Sequence, residues 1–256
     1  MSHGLRTIRA LTRRALNEIL RTPTGALPGV LAPTIFMLGL TAVFSKATQL
    51  PGFGTDDFTS FIVPVGLLQG AGFTGAATGV NLARDIEQGW FDRLLVAPVS
   101  RPTLLAGVVL SASLRALLPA TFLLIVGFSI GVHWPGFDGL LIAYALLMSM
   151  AAAMACFATI VALKFRTQQA APLMQMGNFV AVLFTTSYAP HQLLAGWLQT
   201  ISDINPVTHV LEGTRQGFVG AVTWADTWPA FVAMAGMILV LGALALRSLS
   251  RVGIDA

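Results

Sequence analysis

Of 256 residues only 26 are charged, 15 basic and 11 acidic, while 55% are hydrophobic and the mean hydropathy is +0.76. Soluble domains carry about 25% charged residues, and a soluble core cannot absorb this much apolar side chain without leaving large sticky patches. Soluble, disordered and collagen-like classes are therefore excluded, and an integral membrane protein is expected.

The chain opens on an arginine-rich segment. Leu5, Ile8, Leu11, Leu16, Ile19 and Leu20 recur at helical spacing, while Arg6, Arg9, Arg13, Arg14, Arg21 and Glu18 lie largely off that stripe. Residues 2–22 are read as an amphipathic helix in the cytoplasmic interface, closed by Pro23. Thr12 to Leu16 loosely resembles a twin-arginine signal, but the apolar run starts ten residues later and no small-residue cleavage site ends it. Six stretches then follow, each near or above the ~20 residues a crossing helix needs: Ala26–Phe44, Phe58–Ala83, Pro102–Val132, Gly139–Leu163, Ala170–Pro190 and Trp228–Leu246. The whole chain, 1–256, reads as one transmembrane domain, with a loop at 84–101 and a mixed segment at 191–227.

Six crossings place both termini on one side. Twelve of the fifteen basic residues fall in the N-terminal segment, the second–third loop, the fourth–fifth loop and the tail; Lys46 and Arg215 fall opposite, and Arg115 lies within the third span. The positive-inside rule puts both termini in the cytoplasm. The pI near 10 would suit a nucleic-acid partner, but charges scattered over four separate segments argue against one. The third span is too long for one crossing. Taking Ala116–Trp134 as its crossing part leaves Arg115 to snorkel at the interface; starting at Pro102 buries it instead.

Polar residues within spans are few. Gln175 and Asn178, three apart, share a helix face. They serve either inter-helix hydrogen bonding or a polar stripe along a pathway or dimer seam. Gly66, Gly70, Gly75 and Gly79 form two pairs at GxxxG spacing and predict close helix packing. Cys156, the single cysteine, is read as packing.

Several chemistries lack their residues. No GxxxxGK[ST] occurs, so the chain has no phosphate-cradling loop of its own. No metal-binding cluster appears and the four histidines are dispersed. Gly127 to Gly131 matches GxSxG, with His133 following, but it ends a membrane helix rather than joining a strand to a helix. No catalytic residue is assigned. An intramembrane enzyme lacks its cluster, and an ion-coupled transporter lacks carboxylates inside the spans.

The loop from Arg84 to Arg101 is the most informative segment. Trp90, Phe91, Leu94 and Leu95 form one face of a short helix, Asp92 and Arg93 lie off it, and Gly89 and Pro98 punctuate its ends. So short a helix is marginal alone and must dock on the bilayer interface, on neighbouring helices, or in a groove of a cytoplasmic protein. Asp85-x-Glu87-x-Gly89-x-x-Asp92-Arg93-Leu94-Leu95-x-x-Pro98-Val99-x-Arg101 resembles the signature of type-2 ABC exporter membrane subunits, nearest the daunorubicin-resistance branch. Asn205-Pro206-Val207-Thr208-His209, with Arg215, resembles that family's segment before the last span. The loop departs from the family at Trp90, where Thr is common, and over Ile86-Glu87-Gln88.

The resemblance implies an all-α membrane fold with an interfacial helix, six spans, a cytoplasmic coupling helix and an external re-entrant segment before the last span. It implies a non-catalytic permease subunit exporting an amphipathic drug, antibiotic or lipid, or within the same class a polysaccharide or glycolipid. Two ABC ATPase subunits would carry ATP and Mg, with no cofactor on this chain. A second copy or a related permease would complete a dimer in a bacterial inner membrane. By the same resemblance Glu87 and Arg93 make polar contacts with the ATPase. Asn205, Pro206, Glu212 and Arg215 belong to an external gate. Glu212 and Arg215, three apart, are placed to pair on one helix face.

Overall fold

The structure is a computed structural model that describes residues 27–91 and 99–251. The expected interfacial helix at 2–22 lies outside those residues. The described residues form eight α-helices in chain order: α1 (Leu27–Phe44), α2 (Phe58–Glu87), α3 (Arg101–Ser129), α4 (Gly136–Phe165), α5 (Ala171–Leu183), α6 (Gly196–Ile204), α7 (Pro206–Val219) and α8 (Trp224–Arg251). The described residues contain no strand. Five helices, α1 to α4 and α8, are long and apolar enough to cross a membrane.

Helix α2 is the hub. It packs most extensively on α4 and also on α1, α3, α5 and α7, and is buried along most of its length. Its glycines explain how so many neighbours fit. Gly66 and Gly70 sit where α1 and α3 meet α2, near Pro33, Met37 and the Gly29 carbonyl on α1 and Leu123 on α3; Gly75 and Gly79 face α4 at Ala151 and Ala158. The two GxxxG pairs thus serve different neighbours, letting backbones approach where dispersion and close packing are the main attraction. Helix α4 answers with an alanine face, Ala151, Ala155, Ala158 and Ala162, all buried.

Helices α1 and α8 flank this core and turn apolar side chains outward: Ile35 and Val43 on α1, Leu239 and Val240 on α8. In water such faces would aggregate; in hydrocarbon they are the solvated surface. Cys156 is buried against α8 near Ala245, as a packing residue.

Two expectations are corrected here. The stretch Ala170–Pro190 is not a continuous span. Helix α5 has 13 residues, about 20 Å at ~1.5 Å per residue, and the backbone from Phe184 to Pro190 is irregular. The cause lies in α7 and its cap, described below. Second, α3 ends at Ser129 rather than at Val132. Arg115 is half-buried at mid-helix.

At the end of the bundle that carries the α1–α2 loop, Asp57 caps α2 by accepting from the Thr59 N–H at 2.8 Å. It also accepts from the Ser60 hydroxyl and pairs with His133 at 3.3 Å. Partial burial pushes the Asp57 carboxyl up, but hydrogen bonds from Ser60 and Thr59 outweigh it and hold the group below the usual carboxylate range. A carboxylate with a lowered folded pKa stabilises the protein above its unfolded value and loses that contribution as pH falls through the folded one. Asp57→Ala is therefore expected to lower the melting temperature in detergent at pH 7, by about 1 kcal/mol of cap stability. The gap to the parent protein should close as the pH drops below ~4; a gap independent of pH would contradict the assignment.

Candidate functional site

Two polar clusters lie at opposite ends of α2. The first is at its C-terminus. Helix α2 continues through Asp85 and Glu87, four residues past the expected span, and stops where Gly89 adopts φ +69°. A Cβ there would meet nothing within 4 Å, so it is conformation, not space, that calls for glycine. Trp90 and Phe91 are again helical. The rest of the expected coupling helix, Asp92, Arg93, Leu94, Leu95 and Pro98, lies outside the described residues. Arg101 opens α3 and is half-buried.

The two described aromatics of the expected docking face diverge. Trp90 is 42% exposed and Phe91 is 4% exposed. Phe91 packs with Leu104 of α3, Leu163 of α4 and Leu249 of α8. It is an anchor within this chain, so the single apolar face read from the i, i+1 spacing is corrected for Phe91: adjacent residues on a helix differ by about 100°, and one points inward.

Glu87 also bonds within the chain. Its Oε1 accepts from Thr167 Oγ1 at 2.7 Å and from the Gln168 N–H at 2.9 Å; its Oε2 accepts from Gln168 Nε2 at 2.5 Å. Arg84 Nε donates to Gln168 Oε1 at 3.4 Å. Nothing in the spacing of the loop pointed to Thr167 and Gln168, 80 and 81 residues away.

The second cluster centres on Arg215, 2% exposed on α7. Nε donates to the Phe61 carbonyl at 3.1 Å; Nη2 donates to the carbonyls of Thr186 and Ser187 at 3.0 and 3.3 Å. Nη1 donates to Glu212 Oε1 at 2.9 Å, the pair expected from their spacing. The guanidinium also lies 3.8 Å from the Phe61 ring centroid, a cation–π contact. Glu212 in turn accepts from the Thr186 hydroxyl. One planar fork thus meets three carbonyls, a carboxylate and a ring face at once, which an ammonium could not do.

Asn205 completes the cluster. Its Oδ1 accepts from the Val207 N–H at 3.0 Å, capping α7 ahead of Pro206 at the first helical position. Its Nδ2 donates to the carbonyls of Ala181 and Phe184, at 2.7 and 2.9 Å. The hydroxyls of Thr185 and Ser187 both donate to the Val182 carbonyl. The Ala181 and Val182 carbonyls near the end of α5, which would otherwise lack donors, are therefore met by side chains, and this lets the helix stop at Leu183. Irregular backbone at membrane depth persists only where protein satisfies it. One sequence signal was available: Thr185-Thr186-Ser187 before Pro190 offers hydroxyls that compete with helix hydrogen bonds.

Gln175 and Asn178 are not brought together. Asn178 is fully buried against α2, where Nδ2 donates to the Gln69 carbonyl at 3.3 Å. Gln175, about 60° around α5 from it, is exposed. Of the two uses expected for this pair, Asn178 shows the inter-helix hydrogen bond, and Gln175 lies just beyond the edge of the α2 contact. Ser129 of the GxSxG match donates to its own helix at the Val126 carbonyl, while His133 contacts Asp57 and Ser60 instead.

Comparison with known proteins adds to this geometry. The sequence model of a family described as ABC-2 type transporter matches residues 6–219. The chain is 25% identical over 236 residues to a daunorubicin resistance ABC transporter permease of Streptomyces coeruleorubidus, covering 91% of this chain and 82% of that one. It is 27% identical over 238 residues to a Mycobacterium tuberculosis ABC transporter permease named for doxorubicin resistance, covering 92% and 83%. A protein of Cyanophora paradoxa named as a transport permease is 27% identical over 208 residues, covering 80% and 71%.

Proposed function

Because the chain belongs to the ABC-2 type transporter family, and is the non-catalytic membrane subunit of an ABC exporter, we propose that its segment from Asp85 to Arg101 docks on a separate ATPase and drives export of an amphipathic drug or lipid. Two such ATPase subunits, holding ATP and Mg, pair with two copies of this chain or with one copy and a related permease. The substrate class rests on relatives named for daunorubicin and doxorubicin resistance. The complex sits in a bacterial inner membrane with both termini cytoplasmic, a reading supported by the distribution of basic residues.

One observation supports the docking assignment: of two adjacent helical aromatics, Phe91 is buried on three helices and Trp90 is exposed. Anchored on one side and apolar on the other, the segment is suited to a partner's groove. ATP-driven closure of the partner would move it, and the buried Phe91 would pass that movement to the ends of α3, α4 and α8. The Arg215 cluster, at the far end of the bundle, is the part of the external gate that holds the α5–α6 connection. Energy enters through the differential affinity of ATP for the two states.

The test is co-purification in mild detergent. The tagged chain is expected to retain an ATP-hydrolysing subunit, and Trp90→Ala to lower transport per ATP hydrolysed while the chain still inserts. A purified chain that holds no nucleotide-binding protein, or a Trp90→Ala variant with unchanged transport, would overturn the docking assignment.

A further inference from the structure

The loop between α4 and α5 is tied at both ends. Arg166 closes α4 in the left-handed conformation, at φ 54°, and its N–H donates to the Ala162 carbonyl at 2.8 Å. Thr167 then accepts from the Gln169 N–H at 3.3 Å, capping a short turn, Gln168–Ala170, that runs directly into α5 at Ala171. Glu87 grips this lead at Thr167 and Gln168 through three hydrogen bonds. At the other end of α5, Asn205 holds the carbonyls of Ala181 and Phe184, and Arg215 holds those of Thr186 and Ser187. A single 13-residue helix therefore joins the turn held by Glu87 to the backbone held by Arg215.

We propose that Glu87 is a positioning residue that couples the Trp90 segment to α5, so that α5 acts as a rod carrying movement from the ATPase side to the Asn205–Arg215 cluster. This rests on the reading of that segment as the ATPase docking element. Glu87 is exposed, and polar contacts between exposed groups add little to folding stability; what they fix here is geometry. Glu87 lies two residues before the turn at Gly89, so displacement of the following segment reaches its carboxylate with little slack. Helix α5 is short and has no proline in its interior, only Pro172 in its first turn. It therefore transmits displacement rather than absorbing it.

The chemistry allows a swap. Glu87→Gln keeps an oxygen for Thr167 or the Gln168 N–H but sets an NH2 group against Gln168 Nε2. Gln168→Glu places two carboxylates face to face. With both substitutions, the carboxylate now at position 168 accepts from the amide now at position 87 and from Arg84, and the link reforms with its polarity reversed.

The experiment uses the permease–ATPase complex in proteoliposomes, with Cys156→Ser and one new cysteine, Ala189→Cys, beside the held backbone. The labelling rate by a membrane-impermeant maleimide is measured with and without ATP and vanadate. Gln168→Glu is expected to shrink the ATP-dependent change about tenfold, Glu87→Gln to shrink it less, and the double variant to restore it, because residues in one network couple non-additively. ATP hydrolysis should persist in Gln168→Glu, whose position lies outside the Asp85–Arg101 segment. A response intact in Gln168→Glu, or a double variant no better than Gln168→Glu, overturns the proposal. A parent complex that binds no ATPase, or shows no ATP response at all, overturns instead the docking assignment beneath it.

Discussion

Arg215→Ala is expected to cost about 3–5 kcal/mol, the range for breaking a buried charged group away from its partners. The loss has a specific anatomy. The carbonyls of Phe61, Thr186 and Ser187 lose their charged donor at once.

Arg215→Lys should fall nearly as far. A lysine offers three donors from a single point and cannot reach carbonyls on α2 and on the α5–α6 connection together. Glu212→Gln should be mild by comparison, because Glu212 is 41% exposed and the amide oxygen can still accept. Melting temperature and size-exclusion profile in detergent read all three. An Arg215→Ala protein that melts with the parent would show that the fork does not hold the interrupted helix.

The second large effect is expected at the α2–α4 contact. A Cβ at Gly75 would lie 2.4 Å from the Ala151 carbonyl oxygen, and one at Gly79 would lie 2.4 Å from Ala158 Cβ. The obstacles are backbone and a methyl group, which have no rotamer by which to yield. Gly75→Ala and Gly79→Ala should each cost at least the ~1–3 kcal/mol of an overpacked core, and Gly75→Val should prevent assembly of the bundle. Gly236→Ala, in α8 with open space around it, is the control and should leave the melting temperature unchanged or slightly raised. Equal behaviour of Gly75→Ala and Gly236→Ala would refute the close approach.

These two sites differ in how far the sequence announced them. The paired glycines were legible as packing because GxxxG spacing has one main use in a membrane helix. Which neighbour each pair receives was not, since that depends on the order of helices around α2. The Glu212–Arg215 pair was legible as a local i, i+3 contact. The other partners of Arg215 lie 28, 29 and 154 residues away, and no local pattern encodes them. Phe91 shows the same limit from the other side. Its position in an amphipathic segment was clear, but whether that face met a partner or its own bundle depended on where α3, α4 and α8 end.

Apolar stretch length and charge placement, both additive along the chain, determined that this is a multi-pass helical membrane protein. The loop signature from Asp85 to Arg101 pointed to its family and to a motor on another chain. Hydropathy could not say where the fifth apolar stretch stops being a helix. Residues 170–190 are apolar enough throughout; the helix ends at Leu183 where Thr185 and Ser187 meet the Val182 carbonyl and where Asn205 and Arg215, from elsewhere in the chain, supply donors to the Ala181 carbonyl and to the backbone that follows. In a solvent without hydrogen bonds, a helix can stop only where the rest of the protein satisfies its backbone, and that is a property of the tertiary structure alone.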